Sequence, residues 1–489
     1  MQQPLLFRLD RLSILSFMWA VTALIHPWPF YRRIVSGQEG VLSILLALAA
    51  VAVILRPKSV YLFLFMLAVS ILHAIDGMPF LQNHIMFEAA LQLFILGCIV
   101  SIIAPEAFRN RLKDQLTSTE FRNKLFDSFA PVARISIVIL YFFAVFHKLN
   151  SGFFDITISQ SIHLLKDIKQ HIQFLPLTDT IKYVSVWGTV ITETAIAVLL
   201  CFRSTRLHGI FLAMIFHIFI SFNPMHRGFT SFSGMLYTLF FFFTPKELPA
   251  ALSEITTNIW CKLTSPKTIT IKLIVIALLA IISVLGYLIY NWNTLYGKTG
   301  LYYSVYSLII VWWLFLFMSL LFATRYYKMT PEAHAFRLPF KLHILFPALL
   351  VLNGMLPYLG LKTNTSFNMF TNLRTEGGYT NHLFIPASLQ VFDFQKDLVQ
   401  IKSTNLEELK TYAGPSKKMM VYFEFSRTIA NTTQDAYIEY IHNGLPQRLE
   451  IKNGKIQATE SIKKYPDTLY KLMWFKQVYA SMHSLDIDH

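Results

Sequence analysis

The feature that most constrains this chain is a series of apolar runs, each close to the length that crosses a lipid bilayer. A bilayer core about 30 Å thick is crossed by roughly 20 apolar residues in a helix. Hydrophobic residues make up 54% of the 489 residues and charged residues only 15%, whereas soluble domains carry about 25% charged residues. The sequence therefore predicts a polytopic α-helical membrane protein with about nine to eleven transmembrane helices. The candidate spans are 12–30, 41–55, 60–76, 84–104, 132–149, 183–202, 207–223, 230–245, 270–290, 303–323 and 341–361.

Lysine and arginine are distributed unequally between alternate loops, and this predicts an orientation. With the N-terminus inside, the inside segments hold most of the basic residues, such as Arg56, Lys58, Arg203 and Arg206. Cytoplasmic loops collect Lys and Arg, so we expect a cytoplasmic N-terminus and an extracytoplasmic C-terminal domain, in a periplasm or an ER lumen. The same distribution accounts for most of the net charge of +15 without a nucleic-acid partner.

The cysteines and histidines indicate neither a disulfide framework nor a metal centre. Cys98, Cys201 and Cys261 lie in or beside apolar segments, and their spacing matches no zinc pattern. No histidine pair at i, i+4 with a nearby carboxylate forms a recognisable site, so no metal is predicted. The first apolar run lacks a small-residue cleavage site and meets Pro27 and Pro29, which favours a retained span over a signal peptide.

Two segments between the spans have a different character. Residues 105–131 predict an amphipathic cytoplasmic helix, or a pair of helices, bounded by prolines. Residues 156–181 carry apolar residues at helical spacing and predict an interfacial or re-entrant helix on the outer side.

The composition becomes polar after Leu361, which predicts a transmembrane domain at 1–361 and an extracytoplasmic domain at 362–489. Residues 419–425 and 437–441 predict strands. Hairpin turns are predicted at Asn443-Gly444 and Asn453-Gly454. Pro466 predicts the start of an amphipathic helix that carries Leu469, Leu472, Met473, Phe475 and Tyr479. We expect a small strand-rich α/β domain.

The stretch LYFFAVFHKLNSGFFD, residues 140–155, ends an apolar helix in a His-Lys pair between aromatic residues. A lysine near the end of a span commonly extends to the headgroups as an interface anchor. The alternative is catalytic, because an apolar collar removes water from the amine and favours its neutral form, which can act as a general base. The residues of this collar would be Phe142, Phe143, Phe146, Phe153 and Phe154.

Other polar residues of the spans are further candidates for chemistry. Asn83 and His84 begin a span at the same outer face as Lys148, where they suit proton relay or binding of an oxyanion. A histidine hydrogen-bonded at a helix N-terminus is the alternative. Glu193 and His217 lie inside apolar spans, where ionisable groups indicate function or a polar network between helices. His73 and Asp76 are expected in the same outward-facing network.

The stretch at 140–155 resembles the signature of the vitamin K-dependent gamma-carboxylase family and its bacterial relatives with a horizontally transferred transmembrane (HTTM) domain. The matching residues are Tyr141, Phe142, Ala144, Lys148 and Leu149. Three further stretches resemble family motifs in the same order: Asn83-His84, Phe216-His217 and SFNMFTNLR at 366–374. His147 stands where the animal carboxylase has a second lysine, and the C-terminal domain is shorter than the animal one.

The resemblance implies an enzyme that couples epoxidation of reduced vitamin K, with O2 and CO2 as co-substrates, to carboxylation of glutamate in a secreted peptide or protein. It casts Lys148 as the general base for the hydroquinone. Asn83, His84 and His217 complete the expected catalytic set, with His84 stabilising charge or relaying protons. Phe142, Phe143, Phe146 and His147 are assigned to quinol binding.

Two alternatives remain at the level of sequence. The same fold is compatible with a protein that epoxidises a quinone, or matures an exported peptide, without carboxylating it. A transporter or a membrane scaffold is the other alternative. A transporter predicts inverted repeats and broken helices at mid-membrane in both halves of the chain, and the sequence shows neither pattern.

Overall fold

A computed structural model of the chain describes residues 9–25, 40–108, 112–171, 174–221, 227–264, 300–413 and 418–479, and most of these residues are helical. The α-helices are Arg11–Ile25, Val41–Leu55, Val60–Asp76, Asn83–Phe108, Leu112–Thr117, Thr119–Phe146, Ser151–Phe154, Gln160–His171, Asp179–Cys201, Arg206–Ser221, Arg227–Phe240, Leu248–Thr264, Gly300–Tyr327, Leu345–Leu359, Glu407–Lys410, Tyr422–Asn431 and Asp467–Leu472. Short 3-10 helices cover Phe241–Phe243, Lys341–Ile344 and Ala387–Leu389.

Within the described ranges, 5 helices are long and apolar enough to cross a membrane. They are Asn83–Ala107, Thr119–Phe146, Asp179–Cys201, Leu308–Tyr327 and Lys341–Leu359. Shorter apolar helices are Arg11–Ile25, Val41–Leu55, Val60–Asp76, Arg206–Ser221 and Gly228–Phe243. The predicted helical character is confirmed, and the number of transmembrane helices stays a prediction. The candidate span at 270–290 lies outside the described residues.

The bounds predicted for the segment 105–131 are wrong. Pro105 lies inside the helix Asn83–Phe108 and Pro131 inside the helix Thr119–Phe146, so neither proline ends a helix. A proline in a helix interior removes one backbone hydrogen bond, yet both helices continue past their proline.

The contacts of the chain divide it into two compact units. The first comprises Met1–His73, Glu88–Val138 and Ala195–Ile344. The second comprises Ala74–Phe87, Ile139–Thr194 and Leu345–His489. The predicted domain boundary after residue 361 stays a prediction.

Buried charges with several partners hold the first unit together. The guanidinium of Arg134 donates to the carbonyls of Phe242 and Ala335, each at 2.6 Å, and to the carboxylate of Glu332 at 2.8 Å. A buried charge is tolerated only when paired and hydrogen-bonded, and Arg134 meets both conditions.

The second unit contains a six-stranded antiparallel sheet with the order β5-β4-β3-β1-β2-β6. The strands are β1 Leu398–Thr404, β2 Lys418–Val421, β3 Ala436–His442, β4 Leu445–Lys452, β5 Lys455–Ala458 and β6 Val478–Tyr479. The turns predicted before β4 and β5 are confirmed. Asn443 and Gly444 have φ of 51° and 76°, as the commonest two-residue hairpin turn requires.

Two predictions for this region are wrong. The strand predicted at 419–425 ends at Val421, and Tyr422–Asn431 is a helix. Tyr422, Phe425 and Ile429 recur at three- and four-residue spacing, and all three are buried against the sheet. The apolar run therefore belongs partly to an amphipathic helix that covers the sheet.

The helix predicted after Pro466 is also shorter than expected. It ends at Leu472, because the next residues pair elsewhere. The carbonyl of Trp474 accepts hydrogen bonds from the amides of Thr363 and Asn364 at 3.2 and 2.9 Å. Of the apolar residues assigned to this helix, Met473 and Phe475 lie beyond it and Tyr479 lies in β6.

Candidate active site

The residues around Lys148 are positioned by the end of the helix Thr119–Phe146. The chain leaves this helix in a tight turn, in which the amide of Lys148 donates to the carbonyl of Val145 at 2.9 Å. The next residue but one, Asn150, caps the short helix Ser151–Phe154 by accepting from the amide of Phe153 at 2.9 Å. Two rigid helix ends therefore fix the backbone on both sides of Lys148.

The ammonium group of Lys148 is buried and paired with a carboxylate. Its Nζ donates to Oε2 of Glu193 at 2.7 Å and to the carbonyl of Ala144 at 3.1 Å. Lys148 is 4% exposed and Glu193 is 9% exposed. An interface anchor would place its ammonium among lipid headgroups, and this geometry does not.

The surroundings of the pair are apolar. Phe153, Ile162, Val186 and Val190 form a buried cluster, and Nζ of Lys148 lies 5.8 Å from the centre of the Phe153 ring. Water is therefore kept from the pair on this side, which strengthens the interaction between its charges.

The phenylalanines of the predicted collar contact two different side chains, Lys148 and His147. Of its members, Phe153 faces the ammonium, whereas Phe143 and Phe146 lie against the ring of His147 at 5.3 and 6.2 Å. The side chain of Phe142 is 53% exposed. The assignment of these phenylalanines to quinol binding stays a prediction.

His147 is fully buried, and both of its ring nitrogens are hydrogen-bonded. Nδ1 lies 2.8 Å from the hydroxyl of Tyr358, and Nε2 lies 2.9 Å from the carbonyl oxygen of Ser366. A carbonyl only accepts, so Nε2 carries a proton and donates it, and in the neutral ring Nδ1 accepts from Tyr358. His147 therefore connects the turn after the helix Thr119–Phe146 to Tyr358 of the helix Leu345–Leu359 and to the segment at Ser366.

Asn83 and His84 lie in the same unit as Lys148. The side-chain oxygen of Asn83 accepts from the amide of Phe367 at 2.7 Å, and His84 is 1% exposed. Phe87, one turn further along that helix, packs edge-on against Phe367 with centroids 5.9 Å apart. The predicted Asn-His pair therefore lies beside the segment that begins at Ser366.

That segment has an unusual backbone. Thr365, Phe367, Phe370 and Asn372 all have positive φ, between 50° and 67°. A positive φ is uncommon in residues other than glycine, and such residues cluster where surrounding contacts impose the conformation. We call residues 365–372 the left-handed loop.

Two lysines hold the left-handed loop from one side. Lys362 donates to the hydroxyl of Thr365 at 3.1 Å, and Lys476 donates to the carbonyl of Asn368 at 3.2 Å. Burial lowers the pKa of Lys362 to about 8. In the described part of the chain neither lysine has an ion-pair partner, and both polar atoms of the Asn368 side chain are buried without a hydrogen bond.

Three asparagines that sequence reasoning missed connect the loop to the turn after Lys148. Asn150 donates to the carbonyl of Thr371 at 2.6 Å. Asn381 donates to the carbonyl of Asn372 at 2.8 Å and to the side chain of Asn150 at 3.2 Å. Asn372 accepts from the amide of Gln160 at 2.7 Å. No local sequence pattern marks these asparagines, because these hydrogen bonds join segments that lie far apart in the chain.

His217 belongs to the first unit and lies within the helix Arg206–Ser221. Its Nδ1 lies 3.2 Å from the hydroxyl of Ser233, which also accepts from Ser221 at 2.8 Å. His217 is 1% exposed. This arrangement is a polar contact between helices inside the first unit, and a catalytic role for His217 stays a prediction.

No family model, no curated protein and no solved structure matches this chain. Among the described residues, no group of three or more His, Cys, Asp or Glu side chains is arranged to hold a metal ion.

Proposed function

We propose that this chain is an integral membrane enzyme of the vitamin K-dependent carboxylase type, which epoxidises a quinol and carboxylates glutamate in a peptide or protein. The observation that supports this most is the buried Lys148–Glu193 pair, 2.7 Å apart, beside an apolar cluster. Several helices long and apolar enough to cross a membrane support membrane insertion. The N-terminus is proposed to be cytoplasmic and the C-terminal domain extracytoplasmic.

The pair is suited to remove a proton from a weakly acidic hydroxyl. The structure holds the two side chains as an ion pair, so the pair has to release one proton before Lys148 can act as a base. The resulting amine then takes the proton of the hydroxyl, which restores the ammonium beside the Glu193 carboxylate. In a site with little water such a preformed partner stabilises the product of deprotonation strongly.

The residues present are suited to a quinol. Phe142 and Phe146 stack with ring centroids 5.5 Å apart near the turn that carries Lys148 and are not buried, so they offer the aromatic surface that a quinone ring and an isoprenoid tail require. When bound, reduced vitamin K supplies, with O2, the strong base that takes a γ-proton from glutamate, after which CO2 adds to the glutamate and the vitamin is left as an epoxide. The chain contributes the first proton acceptor and an enclosure that excludes water.

Epoxide formation by the purified full chain in detergent tests the proposal. Lys148→Ala should reduce epoxide formation about 100-fold or more, as expected for loss of a general base. Lys166→Ala is the matched control, because Lys166 is an exposed lysine of the same unit, and it should retain wild-type activity. Equal activity in wild type and a folded Lys148→Ala variant would overturn the role of the lysine.

The same assay separates carboxylation from epoxidation alone. A glutamyl peptide and labelled bicarbonate are added to the reaction. Label in the peptide supports the carboxylase, whereas epoxide without label supports the alternative enzyme that does not carboxylate. Neither epoxide nor label from the folded wild-type chain would contradict both.

A further inference from the structure

A stretch of the second unit exposes apolar side chains although it lies outside every helix long enough to cross a membrane. Residues 383–392, LFIPASLQVF, contain no charged residue. Several large side chains in it are open to solvent: Leu383 53%, Phe384 69%, Leu389 50%, Val391 73% and Phe392 42%. Contiguous exposed apolar surface of this kind marks an interaction site. We call this stretch the apolar loop.

Both ends of the apolar loop are hydrogen-bonded to the ends of helices that are long and apolar enough to span a membrane. The amide of Leu383 donates at 2.9 Å to the carbonyl of Leu149, which lies just beyond the helix Thr119–Phe146. The amide of Phe392 donates at 3.0 Å to the carbonyl of Leu359, the last residue of the helix Lys341–Leu359.

The attachment is tight at both ends. Nε2 of His382 is 3.0 Å from the carbonyl of Phe146, and Nδ1 of His382 accepts from the amides of Phe384 and Ile385 at 3.2 and 3.1 Å. At the other end Gly360 has φ of +86°, and a Cβ there would lie 2.1 Å from the carbonyl oxygen of Phe392. The apolar loop is therefore fixed at the level of the two helix ends.

The second of these helices also carries an exposed apolar stripe. Leu345, Leu349 and Leu352 are 58%, 61% and 49% exposed and recur at four- and three-residue spacing, so they lie on one face of the helix. Such a stripe on a membrane-spanning helix faces lipid. Past the loop the chain becomes polar at once, with Asp393 paired to Lys396 at 2.7 Å.

We propose that the apolar loop inserts its side chains into the outer leaflet of the bilayer and so anchors the second unit to lipid at the level of the outer helix ends. A segment at this depth meets acyl chains on its apolar side and headgroups at its polar border. The occupant is a lipid surface rather than a protein partner, because both ends of the loop are hydrogen-bonded to the ends of helices that are long and apolar enough to span a membrane. The proposal needs the membrane part of the proposed function and none of its chemistry.

The test places an environment-sensitive fluorophore on single cysteines in the full chain, in nanodiscs of phosphatidylcholine. The background carries Cys98→Ala, Cys201→Ser and Cys261→Ser, with folding checked by thermal unfolding. Phe384→Cys and Val391→Cys report on the loop. Gln457→Cys in the exposed strand β5 is the water-facing control, and Leu349→Cys on the helix stripe is the lipid-facing control.

Labels at residues 384 and 391 should be quenched severalfold by lipids with a nitroxide near the headgroup and little by aqueous iodide. The label at residue 457 should show the reverse. Iodide quenching at 384 and 391 as strong as at 457, with lipid quenching retained at 349, would overturn the proposal while leaving membrane insertion intact. Protection from both quenchers would also overturn it, in favour of a protein partner or a second copy. Loss of lipid quenching at residue 349 as well would show that the helix stripe does not face lipid. It would overturn the proposal together with membrane insertion of that helix.

Discussion

At the scale of single residues, the pairing of Lys148 with Glu193 decides how the site is understood. Lys148 lies in the turn after the helix Thr119–Phe146, and Glu193 lies in the helix Asp179–Cys201. Their contact brings a buried cation to a buried anion with 6% and 12% of their side chains exposed. Burying a charge without its partner is costly, whereas replacing both members of a pair by apolar residues is often neutral. The pair can therefore contribute to stability and to chemistry, and the two contributions can be measured separately.

A double-mutant cycle on this pair measures its contribution to stability. Lys148→Met or Glu193→Leu alone should lower the free energy of unfolding by about 3 kcal/mol, since each leaves one buried charge unpaired. The double variant should recover most of that loss while remaining without epoxidase activity. Thermal or denaturant unfolding in detergent measures the first quantity. Additive losses in the double variant would contradict a coupled buried pair.

At the scale of elements, Asn150 connects the turn after Lys148 to the left-handed loop. It caps the helix Ser151–Phe154 and donates to the carbonyls of His147 and Thr371 at 2.7 and 2.6 Å. Asn150→Ala should lower the free energy of unfolding by about 2–4 kcal/mol, because a cap contributes about 1 kcal/mol and buried acceptors lose their donor. Asn431→Ala changes an exposed residue at a helix end and should lower the free energy of unfolding by much less. Similar unfolding curves for the two variants would refute the assignment.

The sheet of the second unit contains a histidine whose ionisation should make that element sensitive to pH. Nε2 of His442 lies 2.8 Å from Asp397, and Nδ1 lies 2.8 Å from Glu460, which also accepts from Tyr440. Tyr422 stacks on the imidazole with centroids 4.6 Å apart. Burial lowers the pKa of His442, but the hydrogen bonds that the imidazole donates to Glu460 and Asp397, and the charges of those carboxylates, outweigh burial, so the pKa is raised.

A raised pKa in the folded state means that the folded chain holds the proton more tightly than the unfolded chain. The stabilisation is fully present below the unfolded value of about 6.5 and is lost as the pH rises through the folded pKa. Amide hydrogen exchange in β3 and β4 should therefore accelerate as the pH rises through that range, after correction for intrinsic rates. His442→Gln should abolish this dependence, and exposed His334→Gln should keep it. A wild-type exchange profile as flat as that of His442→Gln would contradict a stabilising role for protonated His442.

At the scale of the whole molecule, patterns in the sequence predicted those features that depend on residues close together in the chain. The apolar helices and the Asn-Gly turns followed from length, pattern and turn chemistry. The helix Tyr422–Asn431 was missed because its aromatic residues continue the apolar run of β2. The Lys148–Glu193 contact and the asparagine contacts join segments far apart in sequence, and no local pattern specifies them. Positive φ at Thr365 and Phe367 was equally hidden, since tertiary contacts impose it.

The orientation of the whole chain is a prediction that follows from its charge distribution and is testable in intact cells. Basic residues such as Arg56 lie in segments assigned to the cytoplasm, because cytoplasmic loops collect Lys and Arg, whereas β5 belongs to the part assigned to the outside. In the cysteine-replaced background, Gln457→Cys should react with a membrane-impermeant maleimide on intact cells or sealed right-side-out vesicles. Arg56→Cys, also exposed, should react only after permeabilisation. The reverse pattern would invert the chain, and would place Lys148 and the left-handed loop away from any exported peptide.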